Sequence, residues 1–244
     1  MKRRKKKRNL KFKSRNNRYE KTMKLYHYTS ISAFESIIKS DFWRFSSLEF
    51  ANDKRERYAD LNDYSFSKCH YLCTSEDNNN PVLWYHYTNK YNGVCLKLDL
   101  KDDDFDFIRI KYDHHSIRKN IKVPENKAKE YLSHKSKHWA YENEIRAFYK
   151  GEPDELDGML GIKNAKDLIK NIVIGNDVNY KTLSKETISY LKTFLNAKKL
   201  YGIFWEDGEG KTININPPEL LDAIKNTNNN FLPINPINNL QWKI

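Results

Sequence analysis

Residues 139 to 146 read Trp-Ala-Tyr-Glu-Asn-Glu-Ile-Arg and put two carboxylates, a guanidinium and two aromatic rings into one short segment. In a strand, residues two apart share a face, so Glu142, Glu144 and Arg146 are expected to project together while Tyr141, Asn143, Ile145 and Ala147 point the other way. Two carboxylates about 7 Å apart beside a guanidinium, flanked by Trp139 and Tyr141, form a site-like cluster. Structural ion pairing on a wet sheet face would look the same. Clustered carboxylates can also gather a divalent ion for phosphodiester chemistry. In that case Asp53 would join Glu142 and Glu144, although no spacing demands it.

His27 adds to the cluster, because a histidine inside a strand between two tyrosines is costly to bury unless it is hydrogen-bonded. Trp84, Tyr85, His86 and Tyr87 offer rings able to stack on a planar ligand, or an ordinary core stripe of a helix. No Gly-x-Gly-x-x-Gly, phosphate loop, His-Glu-x-x-His or Gly-x-Ser-x-Gly elbow is present, and eight glycines in all make a dinucleotide-binding turn of the doubly wound kind a poor expectation. Cys69, His70 and Cys73 lack a second ligand pair at finger-like spacing, so no metal site is expected, and Cys73 and Cys95 read as small buried strand residues.

The elements that must position these groups follow from periodicity. Leu25 to Thr29 reads as a first strand, with Tyr26 and Tyr28 on one face and His27 and Thr29 on the other. Ser32 and Glu35 suggest a capping box for a helix over 32 to 40, and Phe42 to Ser47 returns as strand. Leu48 to Arg57 is expected to contain a turn at Asn52 and Asp53, followed by a charged, helical run to about Leu61. His70 to Ser75 reads as strand, and Pro81 opens a helix through Tyr91. Strands are expected at 93 to 100, 107 to 112, 142 to 149 and 172 to 174, and helices at 124 to 138 and 183 to 195. Residues 152 to 157 read as an acidic loop. Ile203 to Trp205 and Ile213 to Ile215 could pair across Asp207 to Gly210. Strands and helices intermingle without strict alternation, which predicts a single α+β domain over 22 to 216. Its sheet should be mixed, mostly antiparallel and flanked by helices.

Composition sets the surroundings. The chain has 244 residues, 39% hydrophobic and 14% aromatic, enough for a real core. No apolar stretch approaches the roughly 18 residues of a membrane span, and three cysteines are too few for a disulfide framework, so a cytoplasmic setting is expected. The net charge of +12 is uneven: residues 1 to 21 carry twelve Lys or Arg against Glu20, which leaves only +1 for the rest. This basic arm has little to bury and reads as disordered when free. RNA, DNA, the ribosome or an acidic membrane face would attract it, as would no specific partner at all. Residues 217 to 244 form an Asn- and Pro-rich tail.

Several segments together resemble a bacterial family known as domain-of-unknown-function family 2971. They are Leu-Tyr-His-Tyr at 25 to 28, Phe-Trp-Arg-Phe-Ser-Ser at 42 to 47, Asn52-Asp53, Cys73 to Asp77, Leu-Trp-Tyr-His-Tyr at 83 to 87, Gly93 to Leu96, and Lys137 through Arg146. Lys54 departs from the proline usual after Asn-Asp, and Thr74 from the usual phenylalanine. The family's layout looks like that of ADP-ribosyltransferases, which implies an ADP-ribosyltransferase-like fold and NAD as substrate. By that resemblance His27 would hold the adenosine-side ribose, and Ser46 or Ser47 would line the nicotinamide pocket. Glu144, or else Glu142, would bind the nicotinamide ribose 2′-hydroxyl. Arg146 would pair with the pyrophosphate or hold the glutamates in place, and Tyr28, Trp84 or His86 would contact the bases. The resemblance implies a toxin or phage-defence effector. A non-catalytic nucleic-acid-binding module, using the arm for phosphates and the aromatics for bases, and a carboxylate-based nuclease are the alternatives.

Overall fold

The computed structural model describes residues 23–46, 51, 53, 56, 69–113, 124–206 and 209–214. The basic arm, Ser47, most of the expected 48 to 61 run and the tail lie outside them. Among the described residues thirteen strands are formed: β1 Leu25–Ser30, β2 Phe42–Arg44, β3 Tyr71–Ser75, β4 Gly93–Leu98, β5 Phe105–Arg109, β6 Lys111–Asp113, β7 His134–Ser136, β8 Glu144–Tyr149, β9 Asp154–Leu156, β10 Met159–Lys163, β11 Ile169–Ile174, β12 Leu200–Glu206 and β13 Glu209–Asn214. The helices of the described residues are α1 Ile31–Ser40, α2 Pro81–Tyr87, α3 Ala128–Tyr131 and α4 Lys185–Asn196, with short 3-10 turns between.

Eight strands form one open sheet in the order β13-β12-β11-β4-β1-β3-β8-β5, antiparallel except for the parallel β11–β12 pair. The architecture is thus α+β with a mixed, mostly antiparallel sheet, as the intermingled periodicities lead one to expect. Both faces are covered. Alternation places Leu25, Leu96, Ile172 and Ile145 on one face, where they pack with Phe34, Ile37 and Ile38 of α1 and Leu191 and Leu195 of α4. Tyr28, Cys95 and Val173 lie on the other, under Leu83 and Trp84 of α2. Among the described residues no helix is long and apolar enough to cross a membrane.

Several boundaries differ from the sequence reading, each for a local reason. The cap of α1 is Ser30, whose hydroxyl accepts the Ala33 N–H, rather than Ser32, because β1 runs directly into the helix. α2 stops at Tyr87 instead of Tyr91, since Asn89, Lys90 and Tyr91 all take positive φ. The strand from Phe42 ends at Arg44. The expected helix over 124 to 138 breaks into a 3-10 turn, the four-residue α3 and β7, which pairs parallel to β6. Tertiary pairing there outweighs modest helix propensity. The acidic loop contains β9, hairpin-paired with β10 around Asp157 and Gly158, both at positive φ. That Asp-Gly pair was the legible signal for a tight hairpin turn.

Candidate functional site

The strands β1 and β3 are neighbours in the sheet, yet their ladder registers a single pair, Tyr26 with Ser75. Beyond it a cavity of about 310 Å³ opens, lined from separate parts of the chain by Tyr26, His27 and Tyr28, by Ser46, Tyr71, Cys73 and Tyr87, and by Glu56, Lys135, Glu142, Glu144 and Arg146. The segment from Trp139 is not one strand. Residues Lys137–Glu142 form a 3-10 helix that ends on Asn143 at φ 43, and the strand starts only at Glu144. Asparagine tolerates that left-handed conformation better than most residues, which lets the chain turn between the two glutamates.

Glu142 and Glu144 nevertheless converge, because a lysine that sequence reasoning overlooked draws them together. The Lys135 ammonium lies 2.6 Å from Glu142 Oε2 and 2.7 Å from Glu144 Oε2. Arg146 binds the other side of Glu144 through Nε at 2.9 Å, donates Nη1 to the Leu132 carbonyl at 2.7 Å, and gives Nη2 to Glu56. Its guanidinium also lies 4.8 Å above the Tyr71 ring. The Tyr87 hydroxyl donates to Glu142. None of these five charged groups is more than 7% exposed. The wet ion-paired face expected from spacing is therefore a buried network of three carboxylates and two cations. Charges so placed hold their positions because each is matched and hydrogen-bonded.

The network divides the carboxylates. Burial alone would raise the Glu144 pKa, but Arg146 and Lys135 outweigh it and hold the group down at about 2, so it stays ionised. Glu142 is pushed above the usual carboxylate range by burial, which the Lys135 and Tyr87 contacts do not fully offset. Burial likewise raises Glu56 in spite of Arg146. Lys135 is raised, since Glu144 and Glu142 overcome the burial that would lower it. One glutamate is thus a fixed charge and its neighbour can carry a proton.

His27 borders the cavity at the seam between β1 and β3. Its Nδ1 lies 2.8 Å from the Cys73 carbonyl oxygen, which can only accept, so Nδ1 carries the hydrogen. The ring packs edge-on against Trp43 with centroids 5.0 Å apart, and burial lowers its pKa. The neutral imidazole therefore leaves Nε2 as an acceptor, with no partner among the described residues.

Of the residues singled out from sequence, Glu142, Glu144, Arg146, His27, Tyr28 and Ser46 line the same cavity. Ser46 Oγ sits 3.3 Å from Cys73 Sγ, and the Tyr28 hydroxyl donates to the Asp77 carbonyl at 2.7 Å. Ser47 lies outside the described residues. Trp84 and His86 are not in the lining. Trp84 is wholly buried behind Tyr28 at 5.5 Å, its indole N–H held by the Asn78 carbonyl, whereas His86 is on the exposed side of α2. Arg146 is committed to Glu144, Glu56 and the Leu132 carbonyl, so of its two expected roles it performs the holding one. Cys73 is partly exposed rather than a plain core residue, while Cys95 is buried.

Asp53, expected with Glu142 and Glu144 around a divalent ion, instead accepts the Ser136 N–H at 2.8 Å and does not line the cavity. Among the described residues no group of three or more His, Cys, Asp or Glu is arranged to hold a metal ion. Lys135 and Glu56 are the members missed, and Tyr87, expected as a stacking ring, enters through its hydroxyl instead. Glu56 had a signal, lying three residues beyond Asp53 and so on the same side of a helical turn. In comparisons with known proteins, no family model, no curated protein and no solved structure matches the chain.

Proposed function

We propose that the protein is an NAD-consuming enzyme of the ADP-ribosyltransferase-like kind, with the cavity lined by β1, β3 and β8 as its active site. The observation that carries this reading is the convergence of His27, Ser46 and Glu144, from three separate segments, on one cavity. Breaking the glycosidic bond of NAD develops an oxocarbenium-like cation, and a carboxylate that is ionised before substrate arrives stabilises charge appearing only in the transition state. Glu144 meets that requirement. Glu142, with its raised proton affinity, exchanges a proton with the attacking acceptor.

His27 Nε2 accepts from a ribose hydroxyl, and Tyr26, partly exposed at the cavity wall, supplies the stacking surface that buried Trp84 does not. Arg146 is a positioning residue. The cavity lies at the small end of ligand pockets, which run from about 300 to 1,000 Å³, so it receives the nicotinamide ribose half while the adenosine half lies outside. An ADP-ribosyltransferase-like assignment of the fold, a toxin or phage-defence role, and delivery to nucleic acid or ribosomes by the basic arm belong to the same proposal.

The test is nicotinamide release from NAD by the full chain, measured by chromatography with protein and nucleic-acid acceptors, alongside calorimetric NAD binding. Ser46→Phe, which fills the cavity from a partly exposed position, should abolish both while leaving the circular dichroism unchanged. Absence of both binding and release in the wild type under every acceptor condition refutes the proposal.

A further inference from the structure

Six aromatic rings form a continuous row across the surface, and none of them was absorbed into the cavity. The row begins at Trp139, whose ring lies 5.8 Å from the Lys135 ammonium. It continues from Trp139 to Tyr141 at 5.9 Å, to His86 at 6.4 Å, to Tyr85 at 5.5 Å, to Tyr91 at 6.4 Å and to Trp205 at 5.7 Å. Tyr85 is 47% exposed, His86 is exposed, and the other four are partly exposed. Tyr91, Tyr141 and Trp205 also pack inward against the cluster of Leu83 and Trp84, whereas Tyr85 and His86 remain exposed and fill no core position.

The geometry and the charge both favour a planar, anionic partner. Three of the five contacts are edge-to-face, with interplanar angles of 88°, 70° and 74°, and such a contact covers at most one face of one ring. Open faces accept a flat group. Exposed Lys90 precedes Tyr91 and exposed Lys137 precedes Trp139 by two residues, so cations flank the row at separate points. Asp177, whose charge acts on Tyr91, disfavours a phosphate there and leaves that ring to a base. Rings for bases with cations between them is the arrangement that binds single strands, since every base offers a π face whatever its sequence.

We propose that this aromatic row is a binding platform for single-stranded nucleic acid, with unpaired bases stacked on Tyr85, His86 and their neighbours and phosphates met by Lys90 and Lys137. The platform does not depend on the cavity's chemistry. It requires no NAD.

Fluorescence anisotropy of the full chain with labelled single-stranded DNA, single-stranded RNA and duplexes of matched length tests it. The single strands should bind more tightly than duplex, and the two single-stranded arms identify which sugar is preferred. Replacing both Tyr85 and His86 by Ala, at exposed sites where folding is unaffected, should weaken binding roughly 10- to 100-fold. Tyr85→Phe keeps the ring and should bind like the wild type. The proposal is overturned if duplex binds as well as single strands, or if no binding is seen at low salt. It is equally overturned if the double Ala variant binds like wild type while neutralising the basic residues of positions 2 to 8 abolishes binding, since the arm alone would then be the binder.

Discussion

Replacing Lys135 by Met keeps the length of the side chain and removes only the charge at the centre of the network. The ammonium makes two close contacts, 2.6 Å to Glu142 and 2.7 Å to Glu144, at a site 7% exposed. Hydrogen bonds to charged groups are each worth about 1.5–3 kcal/mol, so two suggest roughly 3–6 kcal/mol, in line with the ~3–5 kcal/mol for breaking a buried pair. Glu144 keeps Arg146, so the strain falls on Glu142, whose pKa burial already raises and which then rises further. A carboxyl with a raised folded-state pKa binds more protons folded than unfolded. Stability therefore falls as pH climbs from the ordinary glutamate value to the folded one, by up to about 1.4 kcal/mol per pH unit for one proton. Urea unfolding followed by tryptophan fluorescence should show a loss of about 3–5 kcal/mol at pH 8 and a clearly smaller one at pH 5. A loss below about 1 kcal/mol at pH 8, or one that is the same at both pH values, would refute the network as described.

Three further outcomes follow from named contacts. Tyr87→Phe removes the hydroxyl that favours ionised Glu142 and should cost about 1.5–3 kcal/mol at pH 8 but less at pH 5, by the same urea measurement. The wild type should lose Glu144's contribution as pH falls from the ordinary glutamate value of 4.5 toward about 2, because its depressed pKa stabilises the fold only where the unfolded chain would also be ionised. Acid titration followed by circular dichroism reads this, and Arg146→Met should move the transition to higher pH. Ser30→Ala should lower stability by about 1 kcal/mol and Ser32→Ala by much less, which thermal melting can separate and which assigns the α1 cap.

Much of the fold was legible because it is periodic. The strand around Cys95 and the β12–β13 hairpin were legible from the types and spacing of successive residues, which are local properties of the chain. The failures cluster where distant partners decide. Residues 124 to 138 have helix-compatible composition, but β6 supplies a parallel ladder for His134–Ser136, and the helix gives way. Glu142 and Glu144 were found by spacing on the assumption of one strand. They do share a site, although for a different reason.

Sequence alone determined the two-faced strands, the +12 charge of which all but +1 is gathered in an N-terminal arm, and the concentration of reactive side chains between Trp139 and Arg146. Local chain geometry suffices for each. Only the tertiary structure decided that Lys135, Glu56 and Tyr87 join the glutamates, that residues of β1, β3 and β8 line one cavity, and that six aromatic rings from three regions come into contact. An ion pair between residues 90 apart, such as Arg146 with Glu56, leaves no trace in local periodicity, because what fixes it is the burial that brings the charges together.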